Sequence, residues 1–398
     1  MLYYGQGSDS MNNFVYHNPT KVIFGKGQIA ALEAELKPYA GHTILFVYGR
    51  RAIRELGIDE TVKTVCQSLN ITCIEQGGIR PNPTLESVLE GRKKILKYDV
   101  SMILAAGGGS VIDAAKAMAF APFMSERAVW DVFMRKQQPE KALPLGVILT
   151  LAATGTEMNG NTVITNEATR QKRSCGYPVL HPRFAIIDPV YTQSVPAHFV
   201  TAGCIDITMH IFEQFFSTTE ETDTADALSL GLLKNVVALT DRLRRGEDTY
   251  DVRANLSWAS TIALNWLLAQ GKVGDWATHQ LSYPVTEHYG ITHGYALTTL
   301  YPAWLKTALK YNPDTMIRRL GQIGAELFDV HDPTTVIERI RGLYKLWGAP
   351  TSFKEADVIP DEPTIGQFVK QVTIAGPVGT VIKVDAAMAQ EIYQQARS

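Results

Sequence analysis

Residues 101–118 read SMILAAGGGSVIDAAKAM, and this stretch decides the fold class. A continuous apolar run of strand length is followed by three glycines, and a serine then opens an alanine-rich segment. A strand buried on both faces carries no polar alternation, glycine lets the following turn close tightly, and alanine is the strongest helix former. The stretch is therefore a strand–turn–helix unit of an α/β protein. Free N–H groups at such a helix start favour an anionic pyrophosphate, which makes Gly107, Gly108, Gly109 and Ser110 a candidate phosphate cradle. An ordinary turn capped by Ser110 fits the same residues, and the G-x-G-x-x-G fingerprint is absent.

Apolar runs of the same kind recur at 43–48 (TILFVY), 71–75, 145–150 (LGVILT) and 184–188 (FAIID), separated by segments of helical period. After Asp188-Pro189 these runs stop and helical patterns take over, for example at 225–244, 252–270, 313–327 and 334–347. The expected organisation is an α/β N-terminal domain with a Rossmann-like parallel sheet over 11–189, followed by an all-α C-terminal domain over 190–398. Residues 1–10 (MLYYGQGSDS), ahead of Met11, read as a leader outside the fold.

Composition excludes several function classes. Hydrophobic residues make up 45% of the 398 and charged residues 20%, far from a disordered mix. Lys+Arg of 38 against Asp+Glu of 40 gives a net charge of −2, so no overall positive field holds a nucleic acid. The uncharged stretch 142–156 contains Pro144 and falls short of the roughly 18 apolar residues that a bilayer span needs. Cys66, Cys73, Cys175 and Cys204 show no C-x-x-C spacing, and no basic segment with an apolar core opens the chain, so a reduced, cytoplasmic setting is expected.

Two clusters carry candidate chemistry. Asp206 and His210 stand at i and i+4, one above the other on a helix face, with Glu213 a turn further on. His279 and His293 supply two more imidazoles. One Asp and three His suit a divalent transition metal with positions left for a substrate oxygen, although an Asp/His pair at this spacing also fits a local ion pair. At the end of the 43–48 run, Gly49-Arg50-Arg51 occupy the place of the ribose reader in a doubly wound nucleotide fold. A small residue beside arginines leaves room and charge for the 2′-phosphate of NADP, where a carboxylate would select NAD; two solvated arginines at a helix start are the plainer reading.

With these features together, the sequence resembles the iron-containing (group III) alcohol dehydrogenase family, in particular its NADPH-using aldehyde reductases and butanol dehydrogenases. The likeness runs through 18–25 (NPTKVIFG), 81–84 (PNPT), 107–116 (GGGSVIDAAK), 150–159 (TLAATGTEMN), Ile187-Asp188-Pro189, the Asp206/His210/Glu213 helix and the His279/His293 pair. The resemblance implies that Asp206, His210, His279 and His293 hold one divalent metal, iron or zinc. It implies that Gly107, Gly108, Gly109 and Ser110 bind the pyrophosphate and that Thr150 and Thr154 line the cofactor cleft. Asn82, Asp113 and Lys172 fall at family-type positions and join the cofactor candidates. Gly49 stands where NAD-dependent relatives carry an aspartate, so NADP(H) is expected in preference to NAD(H). Hydride transfer to a small aldehyde, or from a primary alcohol, follows, with a homodimer and neither nucleic-acid nor membrane partners.

Relatives frequently carry further histidines at two positions that are Tyr283 and Tyr289 here. The proton-relay candidates are therefore His288, beside Tyr289, together with His279 at the metal. Trp276, Asn159 and Tyr283 are the expected pocket lining, and Glu157 matches a family position without an assigned role. Competing readings are an NAD-dependent polyol dehydrogenase, a dehydroquinate synthase-like lyase and a non-catalytic nucleotide sensor. The lyase needs basic side chains around its metal, and segments 206–213 and 276–294 contain neither Lys nor Arg.

Overall fold

Each apolar run expected to be a strand forms one. A computed structural model describes residues 10–398, so all of the expected leader except Ser10 lies outside the described residues. The strands are β1 (Lys21–Phe24), β2 (Thr43–Tyr48), β3 (Thr72–Gln76), β4 (Val100–Gly107), β5 (Leu145–Leu149), β6 (Asn161–Asn166), β7 (Gln171–Gly176) and β8 (Phe184–Ile187). Six of them make one parallel sheet in the order β1-β8-β5-β4-β2-β3. Successive residues of a strand point to opposite faces, and both faces are covered. Leu45, Val47, Ile103, Ala105, Val147 and Leu149 enter one core; Ile44, Phe46, Met102, Leu104 and Ile148 enter the other. Double burial is why these strands read as unbroken apolar runs.

Strands β1, β6 and β7 were not expected. The four residues of β1 form an edge strand with exposed ends. The polar segments NTVITN and QKRSCG pair as an antiparallel hairpin, Asn161 opposite Gly176 through Asn166 opposite Gln171, and carry no apolar run to announce it.

The sheet order places the chain's reversal between β2, which leads outward to β3, and β4, which leads the other way to β5. Ligands in open α/β sheets bind beyond the carboxyl ends of strands at this switch point. Tyr48 pairs with Ala106 there, so the Gly49 and Gly107 turns leave neighbouring strands side by side.

The α/β unit comprises 17–196 and 248–265; the helical unit comprises the described residues through Tyr16, 197–247 and 266–398. The boundary thus falls after Pro196 rather than Pro189, and one helix from the second half of the sequence belongs with the sheet. That helix, Tyr250–Ala263, is held by side chains: Arg253 donates to the Thr192 carbonyl at 2.9 Å, and Thr261 donates to Glu157 at 2.5 Å. The helical pattern expected over 252–270 breaks after Ala263, with Trp266 in the left-handed region at φ 71°.

The helical unit is all-α, as expected. Its helices are Ala197–Phe215, Asp223–Arg244, Ala277–Tyr289, His293–Tyr311, Pro313–Leu327, Pro333–Leu346, Glu362–Thr373 and Ala386–Gln395. The last four begin on Asn312, Asp332, Asp361 and Asp385, each accepting a backbone N–H in the first turn. Such caps satisfy donors the helix cannot use. Among the described residues no helix is long and apolar enough to cross a membrane.

Candidate functional site

The Ala197–Phe215 helix is buried without interruption from Ala202 onward, so Asp206, His210 and Glu213 project into protein interior. Polar side chains in such a place are costly unless something pairs with them. Two other helix starts supply the partners. His279 lies in the first turn of Ala277–Tyr289, and His293 is the first residue of His293–Tyr311. Gly294 allows the second approach, because a Cβ there would lie 2.4 Å from the Ala202 carbonyl oxygen.

All four expected ligands are brought together. Asp206 Oδ1 lies 3.6 Å from His210 Nε2, 3.7 Å from His279 Nε2 and 3.8 Å from His293 Nε2. The His210 and His279 rings stack at 5.0 Å, and those of His279 and His293 meet edge-on at 5.4 Å. Separations of this size are too long for hydrogen bonds. Asp206 Oδ1 and His279 Nε2 are buried and have no hydrogen-bond partner among the described residues. Metal–ligand bonds of about 2.0–2.2 Å at tetrahedral angles set donors about 3.3–3.6 Å apart, close to the separations around Asp206. Asp206, His279 and His293 offer donor atoms all within 4.8 Å of one another, a set that could hold one divalent cation, with His210 Nε2 3.6 Å from Asp206 Oδ1 beside them.

Electrostatics agree with the geometry. Burial opposes the Asp206 charge, but His210, His279 and His293 hold its carboxyl well below the usual range. Burial would likewise lower the affinity of His279 for its proton; Asp206 and Glu213 overcome this and push it up to about 9. Glu213, to which the sequence reading gave no role, lies against His279: its Oε1 accepts the His279 backbone N–H at 2.9 Å and stands 3.0 Å from Nδ1.

Of the expected pocket lining, two residues adjoin the imidazoles. The Trp276 ring is 5.4 Å from His279, and the Tyr283 ring 6.2 Å from His293. Trp276 holds a left-handed φ of 63°, unusual for so bulky a residue. Asn159 is instead wholly buried, accepting from Lys116 and donating to the Gly155 and Leu264 carbonyls. The relay candidate His288 is not brought to the cluster. It follows His279 by about two and a half turns, which puts it on the opposite helix face. Its exposed ring packs against Tyr289 at 4.5 Å and Phe368 at 5.5 Å.

In the α/β unit, β4 runs directly into the Gly109–Phe120 helix. The N-cap is Gly108 rather than Ser110, and no side chain caps this start. It therefore keeps the anion-binding character of an open helix N-terminus. The glycines are imposed by close packing: a Cβ on Gly109 would sit 2.7 Å from Thr154 and one on Gly107 2.5 Å from Val111. Thr150 donates its backbone N–H to the Gly107 carbonyl at 3.0 Å. The buried Thr154 hydroxyl, beside Gly109, has no hydrogen-bond partner among the described residues and is a donor available to a phosphate oxygen.

The remaining cofactor candidates divide. Lys172 donates to Asn82 at 2.9 Å. Arg50 and Arg51 are exposed, and a Cβ on Gly49 would meet Ile79 and Val111 only at an ordinary 3.7 Å. Asp113, in contrast, faces its own chain: one carboxylate oxygen accepts from Thr156 Oγ1 at 2.7 Å and the other from the Val163 N–H at 3.0 Å. It ties the glycine-loop helix to β6.

Comparison with known proteins matches residues 19–189 to the iron-containing alcohol dehydrogenase model and 200–396 to the C-terminal model of that family. A probable NADH-dependent butanol dehydrogenase of Bacillus subtilis is 38% identical over 87% of this chain and 90% of its own length. The NADPH-dependent aldehyde reductase YqhD of Escherichia coli is 30% identical over 97% of this chain and its full length. The crystal structure of NADH-dependent butanol dehydrogenase A from Thermotoga maritima, 34% identical, superposes with a TM-score of 0.91 over 98% of this chain and 100% of its own. The two-part family match, the shared fold and the converging Asp206 and histidines together mean that the chain belongs to the iron-containing alcohol dehydrogenase family, as an NAD(P)-dependent oxidoreductase of alcohols and aldehydes.

Proposed function

We propose that the chain transfers hydride reversibly between NADP(H) and an aldehyde or primary alcohol at one divalent metal, iron or zinc, held by Asp206, His210, His279 and His293. The observation that carries this reading is the convergence on Asp206 Oδ1 of three imidazole Nε2 atoms at 3.6–3.8 Å, with Asp206 Oδ1 and His279 Nε2 left without hydrogen bonds among the described residues. When bound, the metal supplies a Lewis acid and the nicotinamide supplies the hydride.

The chain's own part is binding, orientation and water exclusion. Asp206 contributes the negative charge that offsets a cation, and the Trp276 and Tyr283 rings beside the imidazoles give a substrate's apolar chain a surface to cover. Gly107, Gly108, Gly109, Ser110 and Thr154 receive the cofactor phosphates. The NADP preference rests on Gly49, which has no carboxylate to repel a 2′-phosphate, and on the exposed Arg50 and Arg51. The butanol dehydrogenases named NADH-dependent support the opposite preference, and YqhD supports this one. A homodimer, as the family likeness implies, belongs to the same proposal.

Elemental analysis of the purified protein, combined with NADPH and NADH oxidation over a panel of short aldehydes, tests the reading. It requires about one metal per chain and faster oxidation of NADPH. Metal-free protein with full turnover contradicts it.

A further inference from the structure

We infer that Glu213 is a positioning residue for the metal, fixing the tautomer of His279 and clamping the start of its helix to the helix that carries Asp206 and His210. A neutral imidazole binds a cation through Nε2 only when its proton sits on Nδ1. Glu213 Oε1 lies 3.0 Å from that Nδ1 and, as a carboxylate, can only accept, so the proton belongs there and Nε2 is left facing Asp206. The same oxygen accepts the His279 backbone N–H at 2.9 Å.

Glu213 also acts through its backbone. Its carbonyl oxygen accepts the Asp275 N–H at 2.7 Å, so one residue holds both ends of segment 275–279. Gly274 permits this approach, since a Cβ there would lie 2.5 Å from the Glu213 carbonyl oxygen. Glu213 is 3% exposed, and a buried carboxylate is expensive without compensating charge. Together with Asp206 it brings two negative charges to one divalent cation.

The inference rests on the metal reading above, and the test separates the two. The variant Glu213→Gln keeps shape and an acceptor oxygen but loses the charge, and its amide can present N–H to Nδ1. Zn2+ affinity is measured by competition with a chromogenic chelator, alongside circular dichroism of the metal-free proteins. The expected result is affinity lower by about 10–100-fold with the helical signal unchanged. Equal affinity in wild type and variant overturns the role of Glu213 alone; a wild-type protein that binds no Zn2+ overturns the metal reading and the inference with it. If Glu213→Gln does not fold, nitrogen-15 histidine spectra of the Zn2+-loaded wild type decide: a proton on His279 Nδ1 is expected, and a protonated Nε2 overturns the inference.

Discussion

Lys116 and Asp206 both carry charge deep inside core helices, yet only one of them is saturated by its own chain. The Lys116 ammonium donates to the Thr156 carbonyl at 2.6 Å, Thr156 Oγ1 at 2.7 Å, the Asn161 carbonyl at 2.8 Å and Asn159 at 3.1 Å. Neighbouring Asp113 is equally well supplied with donors. Around Asp206, by contrast, Oδ1 and His279 Nε2 have no hydrogen bonds among the described residues although both are buried. A buried polar group costs least when fully paired. The saturated network therefore ties the helix after the glycine turn to segment 156–163, whereas the open one is shaped for something the chain does not supply.

The largest effect comes from breaking the saturated network. Lys116→Met leaves its oxygen acceptors and Asp113 without the ammonium and should cost about 3–5 kcal/mol in denaturant unfolding. A loss below about 1 kcal/mol would show that the network carries little of the fold.

The open cluster should respond the other way. His279→Ala removes a metal ligand together with the positive charge between Asp206 and Glu213, so the metal-free variant should fold with lower stability at neutral pH and no longer hold metal. Metal at 100 times its dissociation constant should stabilise the wild type by about 2.7 kcal/mol and the variant hardly at all. Equal stabilisation of both proteins would remove His279 from the ligand set.

Protons sharpen the contrast. His279 is raised from 6.5 to about 9 in the metal-free protein, first against burial and then by Asp206 and Glu213. Its charged form therefore stabilises that state fully below pH 6.5, and this contribution is lost as pH rises through 9. A metal must displace the proton, so apparent metal affinity should climb by up to about tenfold per pH unit towards 9 and level off above it. A flat profile by chelator competition would contradict this protonation state. The smallest effect is expected at the other unit's turn: Gly49→Asp, which the backbone accommodates, should shift the NADPH-to-NADH ratio of kcat/KM by about tenfold, or 1.4 kcal/mol, towards NADH. An unchanged ratio would remove the 2′-phosphate from Gly49.

What the sequence disclosed follows from the range of the interactions involved. Strands β2, β4, β5 and β8 are legible because burial on both faces writes an apolar run into the chain. The β6–β7 hairpin is hidden by its polar composition, and the domain boundary by the return of Tyr250–Ala263 to the α/β unit, where Arg253 and Thr261 bond turns 189–194 and 156–158 over a range that no local pattern announces. Asp206 and His210 are visible from helical spacing; their meeting with His279 and His293 was implied by resemblance and is displayed by the fold. Glu213 was visible on the same face, but its role depends on a partner 66 residues away. His288 shows the converse. Helical phase alone already set it opposite His279.

Anomalous diffraction at the metal absorption edge, from crystals of the purified protein, would locate the cation itself. One strong peak about 2.0–2.3 Å from Asp206, His210, His279 and His293 is expected. Crystals of metal-replete protein with no peak there, or with the peak at other residues, would contradict it.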